Sequence, residues 1–450
     1  MRRKRNAAGK WWLGVLVVGV VLIVAGLGVG FLIKKEVARA EILEKYPDRG
    51  LPRIDIELNG VSLEEINEGS KEVKYEGNGL VLYDGNEVSE CGGVTVKGRG
   101  NGTWLQEKKP YQIKFDDKVD LLGMGRARKW YLLANTLDKT NLRNAVAFEI
   151  AEMLGMEYVL GGKFAELYVD GEYRGLYYVT HAVEIDKQVV DLKNPLGVLV
   201  ELDNFYGWME EHYKTMNGDT LVVKDLTDDD NEGVAMENFL KTFNELEEAV
   251  DKKDYGKVSE LIDAESFAQY YLLSEFTVNP DAYWTSFYFY KDGAEDKIHA
   301  GPGWDFDMAL GNRAWGNWLG ERFYSPTEKM VRKQEFMTKE FYEAEGIEGG
   351  YETSLAISRL IFNLMEIPEF EKEVERVFQK KMSGRLYELE IEVNYKMREI
   401  EKAAKADSAK WNGEGDESEV ELLIEWVRKR YEYFEDTYGG MEKVKTTRML

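Results

Sequence analysis

The sequence predicts an α+β chain of two lobes, strand-rich first and helical second, behind a single membrane-crossing helix. Three observations predict it: an uncharged apolar run near the N-terminus, alternation of apolar and polar positions from Arg53 to about Val190, and helical periodicity after Asn204.

The apolar run is "WWLGVLVVGVVLIVAGLGVGFLI", Trp11 to Ile33. It is long enough, at helical rise, to cross a hydrocarbon core of roughly 30 Å. Residues 1–10, "MRRKRNAAGK", are basic, and Trp11 and Trp12 stand where aromatic side chains meet the headgroups. That pattern places residues 1–10 in the cytoplasm and everything beyond a linker at 34–50 outside the cell. A cleaved signal peptide is the rival reading, with "ARA" at Ala38 to Ala40 as its cleavage site. The run exceeds the ~7 to 15 apolar residues of a signal core, so a single-pass anchor in the cell membrane is expected.

The formal net charge is -24, and the basic residues Arg2, Arg3, Lys4, Arg5, Lys10, Lys34, Lys35 and Arg39 are set against Glu36 alone in the first stretch, so the body is more acidic still. Such a surface repels nucleic-acid phosphates, and no basic groove is legible, so no nucleic-acid partner is expected. Cys91 is the single cysteine, which excludes an intramolecular disulfide and thiolate zinc sites. The histidines His181, His212 and His299 are scattered. A metal site would be built from oxygen ligands, favouring magnesium, manganese or calcium.

Residues 51–190 are expected to form the strand-rich lobe. "RIDIEL" and "YQIKF" alternate, and "FAELYVDGEYRGLYYV" reads as a hairpin turning at Asp170 and Gly171. One helix interrupts them, "TNLRNAVAFEIAEMLG", with Thr140 as N-cap and Gly155 just past its end. Glu149 shares a face with Leu142, Val146, Ile150 and Met153. A carboxylate there needs a cation, and a lysine or arginine from a neighbouring strand is expected. Residues 191–440 are expected to form the mainly helical lobe, with Asp263 capping one helix and "DLTDDDNEG" as a solvated loop.

Four stretches carry chemistry. "KGRGNGTW" sets Gly98, Gly100 and Gly102 beside Arg99 and Asn101, a phosphate-cradling pattern that a plain hairpin turn explains equally well. "EKKPYQIKF" supplies Lys108, Lys109 and Lys114; Lys114 is either a solvent-facing strand residue or the cation that Glu149 needs. "NPDAYWTS" ends a helix and brings Asp281, with Ser286 a candidate oxygen ligand; a turn aspartate bonded to its own backbone is the simpler account. "GPGWDFDMALGN" places Asp305 and Asp307 on one side of an extended chain, as either two turn aspartates or a divalent-cation pair.

Together with "LLGMGRARKWYLLANTLDKTNLRNAVAFEIAEMLG" and "GVLVELDN", these blocks resemble the CotH kinase family, in the family's order, over roughly Arg53 to Trp411. The resemblance implies an atypical protein-kinase-like fold binding ATP and magnesium, with manganese as substitute, between its lobes. It implies transfer of a phosphoryl group to serine of a protein. Asp281 matches the catalytic aspartate and Asp305 the magnesium-binding one, with Asp307 as second ligand. Kinase analogy places Lys114 on the phosphates with Glu149 as its partner, and Arg99 and Asn101 over the nucleotide. His181 stands in "VTHAVEID", where many relatives carry a glutamate after the threonine. An acidic body would attract a basic, serine-bearing substrate. The competing expectations are a non-catalytic envelope assembly module with the same fold and, more weakly, a carbohydrate-processing cleft.

Overall fold

The computed structural model describes residues 47–84, 87–312, 358–411 and 417–439. The apolar run at 11–33 and the basic residues before it lie outside the described residues. Among the described residues, no helix is long and apolar enough to cross a membrane.

The N-terminal strands are β1 (Arg53–Leu58), β2 (Tyr75–Asp84), β3 (Glu87–Glu90), β4 (Val94–Gly98), β5 (Tyr111–Asp120), β6 (Arg126–Leu133), β7 (Gly162–Val169) and β8 (Glu172–His181). They pair in the order β1-β7-β8-β6-β5-β4-β2-β3, and β1 also bonds to β2, so the sheet closes on itself with β3 as an appendage. Closure removes free edges. The inward row, including Ile54, Ile56, Val96, Ile113, Phe115, Leu132, Leu167 and Val179, forms a dry core of its own. The β7–β8 hairpin turns at Asp170 (φ 50) and Gly171 (φ 79), as the sequence predicts. The short α1 (Leu63–Glu68) starts at a Ser62 and Glu65 capping box.

Helix α2 (Arg143–Leu154) carries Glu149. Thr140 is not its cap. The cap position is Leu142, which makes no side-chain bond, and Asp138 takes over the role by accepting from the backbone N–H of Thr140 at 2.9 Å and of Arg143 at 2.8 Å. Asp138 also pairs with the buried Arg143 guanidinium. Gly155 closes the helix in the left-handed region, as expected.

The second half is helical but built round a sheet. Strands β9 (Val198–Leu202), β10 (Tyr213–Lys214), β11 (Thr220–Leu226), β12 (Phe287–Lys291) and β13 (His299–Ala300) pair in the order β10-β11-β9-β12-β13. Helices α3 (Glu232–Asp251), α4 (Tyr255–Leu261), α5 (Ala264–Thr277), α6 (Leu360–Met365), α7 (Pro368–Lys381), α8 (Leu386–Trp411) and α9 (Glu417–Tyr438) complete it. Asp263 caps α5 by accepting from the Ser266 N–H at 2.8 Å, as predicted. Val200, Phe287 and Phe289 share a core with α2, α3, α5 and α7, and Leu133, Phe164 and Tyr178 from the closed sheet join it. The two halves therefore meet through apolar packing as well as through the site described below.

Glu247, on α3 and 1 % exposed, accepts bonds from Thr215 Oγ1 and the Asn217 N–H, each at 2.9 Å. Burial pushes its carboxyl up to about 7, against the pull of those two donors. The folded state thus holds this proton more tightly than the unfolded chain. The resulting stabilisation is complete below the unfolded value of 4.5 and is lost as pH rises to about 7. Between pH 5 and pH 8 the wild-type chain should lose on the order of 1–2 kcal/mol relative to Glu247→Gln, allowing for the donors that still serve the ionised form. Urea titrations of both proteins at the two pH values check this; parallel pH profiles would refute it.

Candidate active site

The β4–β5 connection holds the glycine-rich turn. Gly98 lies against the Trp104 ring so closely that a Cβ there would sit 2.5 Å from it, which explains why the strand ends in glycine. Arg99, the next residue, stacks its guanidinium 4.2 Å from the Tyr131 ring centroid and 5.3 Å from that of Trp304. Trp304 belongs to the aspartate segment of the second half, and its ring lies 5.6 Å from that of Tyr131. The predicted glycine turn and the predicted aspartates are thereby brought together across the two sheets.

Asp281 follows the left-handed end of α5 at Val278 (φ 47), and Asp305 itself has φ 65. Tyr283, Ser286 and Leu310 are also left-handed. Such a concentration of strained non-glycine residues is characteristic of functional sites. The strain also changes the geometry expected for "WDFDM". Asp305 and Asp307 do not alternate along an extended strand, because the chain turns at Asp305 and again at Asp307 and Met308. Their carboxyls nonetheless act on one another.

Burial first, and then the Asp281 carboxylate, push the Asp305 carboxyl up to about 6, while Arg99 and a bond from Ser286 Oγ at 3.2 Å oppose the rise. Asp307, 8 % exposed, is driven well above the usual carboxylate range by burial, followed by Asp305, Asp281 and Asp138, again opposed by Arg99. This is a surplus of negative charge in a poorly solvated place, and an added divalent cation would relieve it. Among the described residues no group of three or more His, Cys, Asp or Glu side chains is arranged to hold a metal ion. A cation here would therefore rest on a carboxylate pair and the Ser286 hydroxyl, with most of its coordination left to water or phosphate oxygens. That donor set fits magnesium or manganese.

Lys114 alternates with the core-facing Ile113 and Phe115, so its side chain points from the opposite face of β5. In register it stands beside Lys129 on β6, and the next cross-strand pair on that face is Gln112 with Tyr131. Tyr131 faces Arg99, so Lys114 belongs to the face that roofs the site. It is exposed and has no ion-pair partner among the described residues. The predicted Lys114 and Glu149 pair is not formed. Glu149 binds Lys396 of α8 at 2.7 Å, so its cation comes from a helix far along the chain and not from a strand. Lys129, which stands opposite Lys114 on the roof, pairs with Glu184 at 2.5 Å. Asn101 accepts from Lys71, which also donates to the Gly100 carbonyl at 2.9 Å. That fastens the turn, and no contact joins Asn101 to the aspartates.

His181 is a core residue. Its ring stacks 4.2 Å from Trp130, its Nε2 lies 3.0 Å from the Met124 carbonyl oxygen, and burial lowers its pKa. The floor of the site holds groups that the sequence reading missed. Glu201 on β9 pairs with Lys224 at 2.7 Å and faces Tyr288 across the sheet. Tyr288 in turn senses both Tyr131 and Asp305. The signal for Glu201 was present in "VLVEL", one charge inside a buried strand.

Residues 96–434 match the family model described as CotH kinase protein. Among the curated proteins none matches the chain in sequence. The match takes in Arg99, Lys114, Glu149, Asp281, Asp305 and Asp307 and covers most of the polypeptide: this chain belongs to the CotH kinase family.

Proposed function

We propose that the protein is a magnesium-dependent protein kinase that transfers the γ-phosphoryl group of ATP to serine of a secreted or surface protein, from a domain held outside the cell by the apolar run at 11–33. The observation that carries this reading is the meeting of Asp281, Asp305 and Asp307 with Arg99, where carboxylates from one half face a guanidinium and a lysine-bearing sheet from the other. Asp281 is the base that receives the serine hydroxyl proton. Asp305 and Asp307, with Ser286, hold magnesium, which when bound supplies charge neutralisation at the phosphate oxygens. Arg99 and Lys114 would hold the phosphates from the roof, beside the turn at Gly98 to Trp104. The aromatic rings of Tyr131 and Trp304 exclude water and raise the strength of each of these interactions.

The test is incubation of the purified full chain with labelled ATP and magnesium or manganese, alone and with envelope extract. Phosphoserine that requires the metal is the expected result. Absence of labelled protein under all these conditions overturns the kinase reading. If ATP then still raises the melting temperature, a nucleotide-binding assembly module is the better account.

A further inference from the structure

The aspartate segment is held by its backbone, and three carboxamides hold it. Asn279 accepts from the Asp281 N–H at 3.0 Å through Oδ1 and donates through Nδ2 to the Asp305 carbonyl at 3.2 Å. Asn144 accepts from the Phe306 N–H at 3.0 Å and donates to Asn135 Oδ1 at 3.3 Å. Asn312 donates to the Asp307 carbonyl and, at 2.9 Å, to the Leu137 carbonyl. Consecutive backbone groups at 305, 306 and 307 are thus each tied to a different element: the end of α5, the first turn of α2, and the loop preceding α2. Asn279, Asn144 and Asn312 are all buried.

The chemistry explains the residue type. Asp281, Asp305 and Asp307 repel one another, and Asp305 is left-handed, so the segment would relax unless it were tied from outside. A carboxylate in place of any of the three amides would add to the repulsion and could not donate. A lysine or arginine would neutralise the aspartates and occupy the place of a cation. A carboxamide donates from one atom and accepts at another without charge, so one side chain can tie two backbone groups.

We propose that Asn279 is a positioning residue that fixes Asp281 and Asp305 relative to one another through its single carboxamide, with Asn144 and Asn312 anchoring the residues that follow. What the two aspartates then do rests on the phosphotransferase reading; the tie itself does not. A displacement of about 1 Å between reacting groups costs on the order of 10²-fold in rate, which sets the scale of the effect.

Hydrogen exchange on the full chain, without metal or nucleotide, tests the tie directly. In Asn279→Ala the Asp281 amide, and in Asn144→Ala the Phe306 amide, should exchange about tenfold faster or more, while those of β5, β6 and β8 keep wild-type rates. Asn279→Asp retains the acceptor and loses the donor, so the Asp281 amide should stay protected. In phosphoryl transfer Asn279→Ala should lower kcat on the order of 10²-fold and change KM for ATP by less than about threefold. Unchanged exchange at both amides overturns the proposal. Acceleration spread evenly through the closed sheet overturns it too, since that is loss of stability and not of position. Local release in the variants, with a wild type that transfers no phosphate, upholds the tie and removes the kinase reading instead.

Discussion

Asp281→Ala and Asp305→Ala should each lose phosphoryl transfer by about 10³-fold or more while leaving the fold intact and slightly more resistant to heat. The first half follows from the proposed roles. A positioned base is worth on the order of 10²–10⁴-fold, and an aspartate that holds the cation on the phosphates is worth at least as much. The second half follows from charge. Three carboxylates crowd one guanidinium, and burial together with mutual repulsion already pushes Asp305 up to about 6 and drives Asp307 well above the usual carboxylate range. Deleting one carboxylate relieves the others, so the metal-free protein should melt at the same temperature or a few degrees higher. Added magnesium should then stabilise the wild type and do little for Asp305→Ala. Transfer within tenfold of wild type in both variants would remove these assignments. A marked fall in melting temperature would show that the aspartates serve the fold.

What the sequence made legible was what a few neighbouring residues decide. The Asp170 and Gly171 turn, the Asp263 cap and the Gly155 helix end each depend on the local chain, and each is found where expected. Asp281, Asp305 and Asp307 were readable because carboxylates among tryptophan, phenylalanine and methionine are costly unless they have a purpose. The failures share another cause. Glu149 was correctly seen to need a cation, but Lys396 is separated from it by most of the chain, and periodicity says nothing about which distant helix arrives. Thr140 looked like a cap because Asp138 carried no signal that it would reach past it to Arg143. The closed sheet depends on β1 bonding to β2 and β7 at once, a fact of register that no single strand records. Asn144, Asn279 and Asn312 escaped notice because neutral amides break no pattern.

The helix that supplies Lys396 also makes the strongest prediction about stability. Toward its C-terminal end α8 crosses β8, where Asp407 Oδ1 accepts from the Leu176 N–H and from Lys108 Nζ, each at 2.8 Å. Lys108 also donates to the Leu176 carbonyl at 2.6 Å, and Trp411 Nε1 donates to the Arg174 carbonyl at 2.9 Å. Lys108 and Asp407 are 3 % and 2 % exposed. Gly175 (φ +119) lies beneath them because a Cβ there would stand 2.2 Å from Asp407 Oδ1. Helix and hairpin approach each other closely enough to require glycine. Removing one member of such a pair strands a charge that burial already disfavours, since burial lowers the Lys108 pKa more than Asp407 restores it. Asp407→Ala should therefore cost about 3–5 kcal/mol, read as a lower urea midpoint with an unchanged slope. Replacing both partners, as Lys108→Met with Asp407→Leu, should recover part of that loss, because no ammonium is then stranded although the Leu176 N–H and carbonyl still lose these partners. A loss below about 1 kcal/mol in Asp407→Ala, or a double variant as unstable as the single one, would mean that water or another group reaches Lys108. If the prediction holds, α8 is what keeps the closed sheet, and with it Arg99 and Lys114, over the aspartates. The same substitution should then also weaken nucleotide binding, although Asp407 is not one of the residues of the site.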